Sequence, residues 1–119
     1  MKSRESMVRL KRFQVEEKRR QVAQIEGMVA EFERMSDELD MSIDAEQERT
    51  GIRDASHFAY STFARAAMQR RDNLRASSAE LKAQRDAAVA DLEAAEEELE
   101  KMETIAERDQ RNGASERVA

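Results

Sequence analysis

A heptad repeat of apolar residues constrains this chain more than any other feature of its sequence. One set of positions recurs every seven residues, at Val8, Val15, Val22, Val29, Ser36 and Ile43. A second set, Ile25, Phe32 and Leu39, lies between them at alternating steps of three and four, and Lys11 and Lys18 continue it toward the start. This spacing is typical of helices that wind around one another as a coiled coil. It predicts one long helix over about residues 4–49.

The composition agrees with long helices. The 119 residues include no proline, and 39% of them are charged while only 4% are aromatic. A compact globule of this length carries more aromatic residues, and a disordered chain lacks so regular an apolar set. The first twenty residues are too charged for a secretory signal, and no apolar run reaches membrane-spanning length. We expect a soluble, cytoplasmic protein with a single coiled-coil domain over residues 1–119.

The repeat is interrupted around Gly51, which predicts a turn at about residues 50–56. Gly51 suits the left-handed position that follows a helix. Asp54 is a candidate N-cap for the next helix, and Ser61 is the alternative. A short connection between helices makes them antiparallel neighbours. We therefore predict an all-α, long antiparallel two-helix coiled-coil hairpin, with a second helix over about 57–109 and a frayed tail at 110–119.

The second helix is predicted to supply a less regular seam of smaller side chains. Its predicted inner positions are Tyr60, Phe63, Ala67, Arg70, Leu74, Ser77, Leu81, Gln84, Ala88, Leu92, Ala95, Leu99, Met102 and Ala106. The steps from Gln84 to Ala88 and from Ala88 to Leu92 are both four residues long. Two such steps in succession form a stutter, which locally unwinds a supercoil.

The distribution of charge favours the hairpin independently. Residues 2–20 contain eight Lys or Arg and three Glu, whereas residues 86–109 contain ten Asp or Glu and two Lys or Arg. An antiparallel hairpin brings these two segments alongside each other, while a parallel dimer would place acidic residues beside acidic residues. Exposed ion pairs are individually weak, so the pattern selects orientation more than it adds stability.

The sequence offers little for catalysis. It has no cysteine, and His57 is its only histidine, so neither a thiol nucleophile nor a histidine-based triad or metal set can be assembled. The second helix carries an acidic run, which we interpret as a face exposed to solvent: Glu93, Glu96, Glu97, Glu100 and Glu103. The basic first twenty residues could contact nucleic acid or anionic lipid, but glutamates interrupt them and the acidic helix would neutralise them. We expect no enzyme, no cofactor and no nucleic-acid partner.

Three of the chain's five aromatic rings fall within six residues, at Phe58, Tyr60 and Phe63, with Ile52 close by. A bend between helices needs some local apolar core, which accounts for part of this cluster. Residues two and three apart cannot all face one seam, so at least one ring is expected to point outward as a binding anchor.

Three segments resemble the FliJ family, a coiled-coil component of the bacterial flagellar type III export apparatus, in its alphaproteobacterial branch. They are Arg9-Leu-Lys-Arg-Phe-Gln-Val-Glu-Glu-Lys-Arg-Arg-Gln-Val-Ala-Gln-Ile-Glu26, His57-Phe-Ala-Tyr-Ser-Thr-Phe-Ala-Arg-Ala-Ala67 and Arg70-Arg-Asp-Asn-Leu74. The resemblance extends over nearly the whole chain. It implies a stalk-like hairpin at the cytoplasmic face of the inner membrane, which binds the export ATPase FliI and the export gate protein FlhA and escorts export chaperones.

The resemblance also implies where those partners bind, by position along the hairpin. The ATPase-facing candidates are Arg4, Arg9, Arg12, Phe13, Leu99 and Met102. The gate-facing candidates are Ile52, Phe58, Tyr60 and Phe63. An alternative follows from Met28 and Met35, which widen the apolar stripe of the first helix beyond a strict two-helix seam. That width favours a structural coiled coil that self-associates into a four-helix bundle.

Overall fold

The fold is seen in a computed structural model that describes residues 2–118, with the side chains of residues 3–114. Helix α1 spans Lys2–Thr50 and helix α2 spans Thr62–Val118, with no strand in the part of the chain described. The two helices pack together, which confirms the predicted all-α two-helix hairpin. Neither helix, over the described residues, has a stretch long and apolar enough to cross a membrane.

The hairpin divides into two compact units. The terminal unit consists of Met1–Gln24 and Arg85–Ala119, and the loop unit consists of Ile25–Gln84. In each unit a segment of α1 lies antiparallel to a segment of α2, as the ion pairs between the helices show. Each unit therefore has its own stretch of seam and its own exposed surface.

The predicted seam of α1 is confirmed. All six residues of its seven-residue set are buried, and Val15 is only 1% exposed. Ile25, Phe32 and Leu39 are half-buried, as are Lys11 and Lys18. Helix α1 turns the side with Val8, Val15 and their repeats toward α2. The side with Ile25, Phe32 and Leu39 therefore keeps one edge open to solvent.

Helix α1 ends as its sequence predicts. Gly51 has a φ of 76°, a left-handed conformation that costs glycine little because it has no Cβ. Its N–H donates to the Gln47 carbonyl at 2.8 Å. The Ile52 N–H then donates to the Thr50 hydroxyl at 3.3 Å. These bonds satisfy polar groups at the helix end and turn the chain into the loop.

The start of α2 differs from the expectation of about residue 57. The helix begins at Thr62, and Ser61 rather than Asp54 is its N-cap: the Ser61 hydroxyl accepts a hydrogen bond from the Ala64 N–H at 3.2 Å. Asp54 instead closes a turn within the loop. The other end differs too, since residues 110–118 continue α2 where a frayed tail was predicted. No proline or left-handed glycine interrupts the helix there, and Gly113 stays helical.

The seam of α2 is more regular than predicted. Its inner positions, buried or half-buried, are Ala64, Ala67, Arg71, Leu74, Ser78, Leu81, Arg85, Ala88, Leu92, Ala95, Leu99, Met102 and Ala106. Steps of three and four alternate through all of them, so the predicted stutter is wrong. Phe63, Arg70, Ser77 and Gln84, which were assigned to the seam, are all exposed.

Arg71 shows why the spacing of apolar residues did not predict the inner positions of α2. Its side chain is 18% exposed, and its guanidinium donates to Asp40 at 2.9 Å, which raises the pKa of Arg71. An arginine can bury its aliphatic stem in a seam while a carboxylate holds its charged end at the edge. The neighbouring inner residue Ala64 is small enough to let the helices approach closely, while Phe63 is left outside.

Ser78 is the one buried side-chain polar atom without a hydrogen-bond partner among the described residues. We expect Ser78→Ala to raise the free energy of unfolding by about 1 kcal/mol, because the mutation removes an unsatisfied hydroxyl and improves helix propensity. Urea unfolding followed by circular dichroism measures the change. The matched control is Ser36→Ala in the buried seam of α1. Its hydroxyl donates to the Phe32 carbonyl at 2.9 Å, so no gain is expected there. A loss of stability in Ser78→Ala would show that the hydroxyl has a partner in solution.

Candidate protein-binding surfaces

Ion pairs join the two helices throughout the terminal unit. Arg12 lies 3.5 Å from Glu103, and Arg19 lies 3.1 Å from Glu96, each measured from nitrogen to oxygen. The remaining pairs are Arg4 with Asp109, Lys11 with Glu98 and Lys18 with Asp91. The basic start of α1 therefore lies along the acidic part of α2, as the charge counts predicted.

The sign of this pattern reverses in the loop unit. There α1 supplies the acids: Asp40 pairs with both Arg71 and Arg75, at 2.9 and 2.7 Å, and Glu33 pairs with Lys82 at 2.7 Å. In each unit the facing segments carry charges of opposite sign, which favours their pairing with each other. In each unit the charges thus favour the antiparallel pairing of these two segments.

The loop between the helices is held by local hydrogen bonds. The Asp54 carboxylate accepts from the Ser56 hydroxyl at 2.7 Å and from the Ser56 N–H at 2.9 Å, and these two bonds lower the pKa of Asp54. The His57 N–H donates to the Asp54 carbonyl, and the Tyr60 N–H donates to the His57 carbonyl. The Arg65 guanidinium donates to the Ala55 carbonyl at 3.0 Å. The loop is therefore ordered without a partner.

This ordered loop presents Phe58 to solvent. The Phe58 side chain is 96% exposed, and its ring stacks on His57 with a centroid separation of 4.7 Å. His57 Nδ1 accepts a hydrogen bond from the Ala59 N–H at 3.0 Å, which orients the imidazole. Phe63, on the first turn of α2, is also largely exposed. Phe58 and Phe63 form what we call the loop surface.

The four residues expected to face the gate have three different environments. Tyr60 is buried: its hydroxyl accepts from the Gln47 amide at 2.8 Å and donates to the Met68 sulfur at 3.2 Å. Ile52 is half-buried, and only Phe58 and Phe63 are exposed. Tyr60 therefore belongs to the core, because the loop places it where the seam of α2 would otherwise begin.

A second exposed apolar patch lies in the terminal unit. Phe13, which was expected to face the ATPase, is 59% exposed. Met7 and Leu10 precede it at steps of three on α1 and are also exposed, and Ile105 of α2 lines the same shallow depression as Met7. Arg9, one helical turn before Phe13, makes no ion pair within the described residues. These residues form what we call the terminal surface: Met7, Arg9, Leu10, Phe13 and Ile105.

The remaining candidates for the ATPase contact are engaged within the hairpin. Arg4 pairs with Asp109 and Arg12 with Glu103. Leu99 and Met102 are half-buried in the seam of α2. Sequence reasoning missed Met7, Leu10 and Ile105, although the heptad register of the chain places all three away from the seam and would have identified them as exposed.

Comparison of the chain with protein-family models, curated proteins and solved structures gave no match. Its function is therefore inferred from the two surfaces together with the sequence resemblance described above.

Both surfaces have the chemistry of protein contacts. Apolar side chains that stay exposed together are typical of protein interaction sites, and the terminal surface adds Arg9, a residue type that is enriched among binding hot spots. Over the residues that the structure describes, no group of three or more histidine or acidic side chains could hold a metal ion. Within the acidic run of α2, Glu96 and Glu103 pair with α1, while Glu93, Glu97 and Glu100 face solvent.

Proposed function

We propose that this protein is a non-enzymatic component of a bacterial flagellar type III export apparatus. In this proposal its terminal surface binds the export ATPase FliI and its loop surface binds the export gate protein FlhA. The resemblance of the sequence to the FliJ family supports the choice of partners, and the hairpin fold agrees with it. The protein would act at the cytoplasmic face of the inner membrane as a peripheral component and would also escort export chaperones.

The observation that carries the proposal is that six of the eight exposed large apolar residues of the described chain belong to the terminal and loop surfaces. Each helix meets only the other, so apolar side chains outside the seam gain nothing from folding alone. Phe58 is held outward by an ordered loop, which reduces the entropy lost on binding. Phe13 and Leu10 are exposed near Arg9, which makes no ion pair in the described part of the chain. Both sets are therefore suited to bind apolar pockets of other proteins.

Paired variants test the two contacts separately. Arg9→Glu with Phe13→Ser alters the terminal surface without breaking an ion pair, and Phe58→Ser with Phe63→Ser alters the loop surface. Each is titrated into the flagellar ATPase of the same bacterium, and its binding to the cytoplasmic part of the gate protein is measured. We expect the terminal variant to lose at least about tenfold in its effect on ATP hydrolysis and to keep its affinity for the gate, since loss of one hot-spot residue costs about 2 kcal/mol or more. The loop variant should lose affinity for the gate protein and keep its effect on ATP hydrolysis.

Two results would contradict this proposal. Wild-type protein that neither changes ATP hydrolysis nor binds the gate would exclude both partners. Equal behaviour of the two variants would show that the terminal and loop surfaces are not the binding sites. Unfolding curves that match the wild-type curve are the control for structural damage, and they are expected because all four altered residues are exposed.

A further inference from the structure

The loop unit has an apolar strip that its own two helices do not cover. On α1 this strip consists of Ile25, Met28, Phe32, Met35 and Leu39, spaced alternately by three and four residues. Met28 is 42% exposed, and the other four are half-buried. The same spacing forms the buried seam of this helix. The strip is therefore the open side of that seam: it shares Ile25, Phe32 and Leu39 with the seam and is widened by Met28 and Met35.

A row of α2 residues in which only Arg70 is charged continues this open face. A depression of about 220 Å³ lies between the helices, lined by Met35, Glu38, Leu39, Ser42 and Arg70. Ser77 and Gln84 follow Arg70 on α2 at steps of seven, and Phe63 precedes it by seven. All four of these residues are exposed and therefore accessible.

The opposite edge of the loop unit differs in character. There Asp40 pairs with Arg71 and Arg75, and Glu33 pairs with Lys82. Charges thus close one edge of the hairpin, while the open edge presents Met28 and Met35. Methionine suits such a contact because its flexible side chain adapts to the surface that it meets.

We propose that the open strip binds the same strip of a second copy of the chain, so that two loop units form a four-helix bundle. The proposal does not rest on the export function, although Phe63 belongs both to the loop surface and to this face. The two copies would be related by a twofold axis parallel to the helices, with both loops at the same end. In that arrangement α1 of each copy lies antiparallel to α2 of the other.

Charge complementarity selects a second copy as the occupant. Within the loop unit, residues 25–50 contain nine Asp or Glu and two Arg, whereas residues 62–84 contain five Lys or Arg and two acids. The proposed alignment places the acidic helix of each copy beside the basic helix of the other. Glu38 and Arg70 line the same depression, so each is level with its counterpart in the second copy. Glu38 also pairs with Arg34 of its own helix at 2.6 Å, so Arg70 of the second copy would share this carboxylate with Arg34. Arg70 makes no ion pair within the described part of its own chain, and is available for that contact.

The size of the strip is adequate for a weak, specific dimer. From Phe63 to Gln84 it runs about 32 Å along α2 at about 1.5 Å per residue. Two helices spaced by about 10 Å give a width of about 20 Å. The contact would bury about 640 Å² per copy, or about 1,300 Å² in total, which is near the lower limit for specific interfaces. Because this contact is small and its α2 side is largely polar, we expect a weak dimer with a dissociation constant in the micromolar range.

Sedimentation equilibrium of the full chain tests this assembly. The wild-type protein should shift from monomer to dimer as its concentration rises through the micromolar range. The Met28→Glu variant should weaken the dimer at least about tenfold, because it places a carboxylate in the apolar contact. Met41→Glu is the matched control: Met41 lies on the same helix outside the strip and is 73% exposed, so this variant should dimerise like the wild type.

A charge exchange tests the alignment of the two copies. Glu38→Arg alone should weaken the dimer, and combining it with Arg70→Glu should restore it, because the pair is re-formed with its signs reversed. A wild-type chain that remains monomeric throughout would overturn the proposal. If Met28→Glu left the dimer intact, the open strip would not be the contact surface. If the double variant dimerised no more tightly than Glu38→Arg, the proposed alignment of the two copies would be wrong.

Discussion

Replacing Tyr60 with alanine is expected to lower the free energy of unfolding by about 3–4 kcal/mol, as for other buried aromatic residues. The ring is 6% exposed and lies where α1, the loop and the start of α2 meet. Gln47 and Met68 bind its hydroxyl, and the Arg65 guanidinium lies 5.4 Å from the ring centroid. Alanine would leave a cavity and remove both hydrogen bonds of the hydroxyl.

Urea unfolding measures this loss. Tyr60→Phe should cost only about 1 kcal/mol, because it keeps the ring and removes the hydroxyl. Phe58→Ala is the control for an aromatic residue of the same loop, and it should change stability by less than about 0.5 kcal/mol. If Tyr60→Ala were as mild as Phe58→Ala, Tyr60 would not be part of the core and its role as a binding residue would have to be reconsidered.

Replacing Val15 with asparagine is expected to destabilise the protein by about 3–5 kcal/mol. Val15 is the most deeply buried large side chain of the described seam. The substitution loses about 2 kcal/mol of apolar burial. It also buries an amide whose donors and acceptor lack partners, at a further cost of about 1–3 kcal/mol.

Two further variants separate these contributions. Val15→Ala should lose only the apolar part, about 2 kcal/mol. Gln14→Asn places the same asparagine at the adjacent exposed position and should be nearly neutral. Chemical denaturation of the three variants under identical conditions gives the comparison. A Val15→Asn variant no less stable than Val15→Ala would show that the asparagine finds partners, and that this layer of the seam is less tightly packed than the structure indicates.

The contrast between Tyr60 and Phe58 matters for function. The two rings are two residues apart, yet one supports the fold and the other is available to a partner. A variant that changes both would confuse loss of folding with loss of binding. The same holds in the terminal unit, where reversing Arg12 would break its pair with Glu103, whereas Arg9 can be reversed without such an effect. Variants limited to exposed residues therefore give the clearest test of the proposed contacts.

Much of the fold follows from the sequence alone. The seven-residue spacing from Val8 to Ile43 predicts the buried face of α1, since the helical repeat brings these positions onto one side. Gly51 predicts the end of that helix, because only glycine adopts a positive φ at low cost. The opposite charges of the two end segments predict that they lie side by side. All of these are local or whole-segment properties.

The register of α2 and the division of the aromatic cluster were decided by tertiary structure. Apolar residues are sparse on α2, so hydrophobicity favoured Phe63 over Ala64 and gave no reason to choose Arg71. Ala64 is buried in the seam because its small side chain permits close packing of the helices. Arg71 lies in the seam because its guanidinium pairs with Asp40 of the facing helix. Tyr60 is buried and Phe58 exposed because the hydrogen bonds of the loop fix their directions. These outcomes depend on the facing helix or on the folded loop, which sequence spacing does not specify.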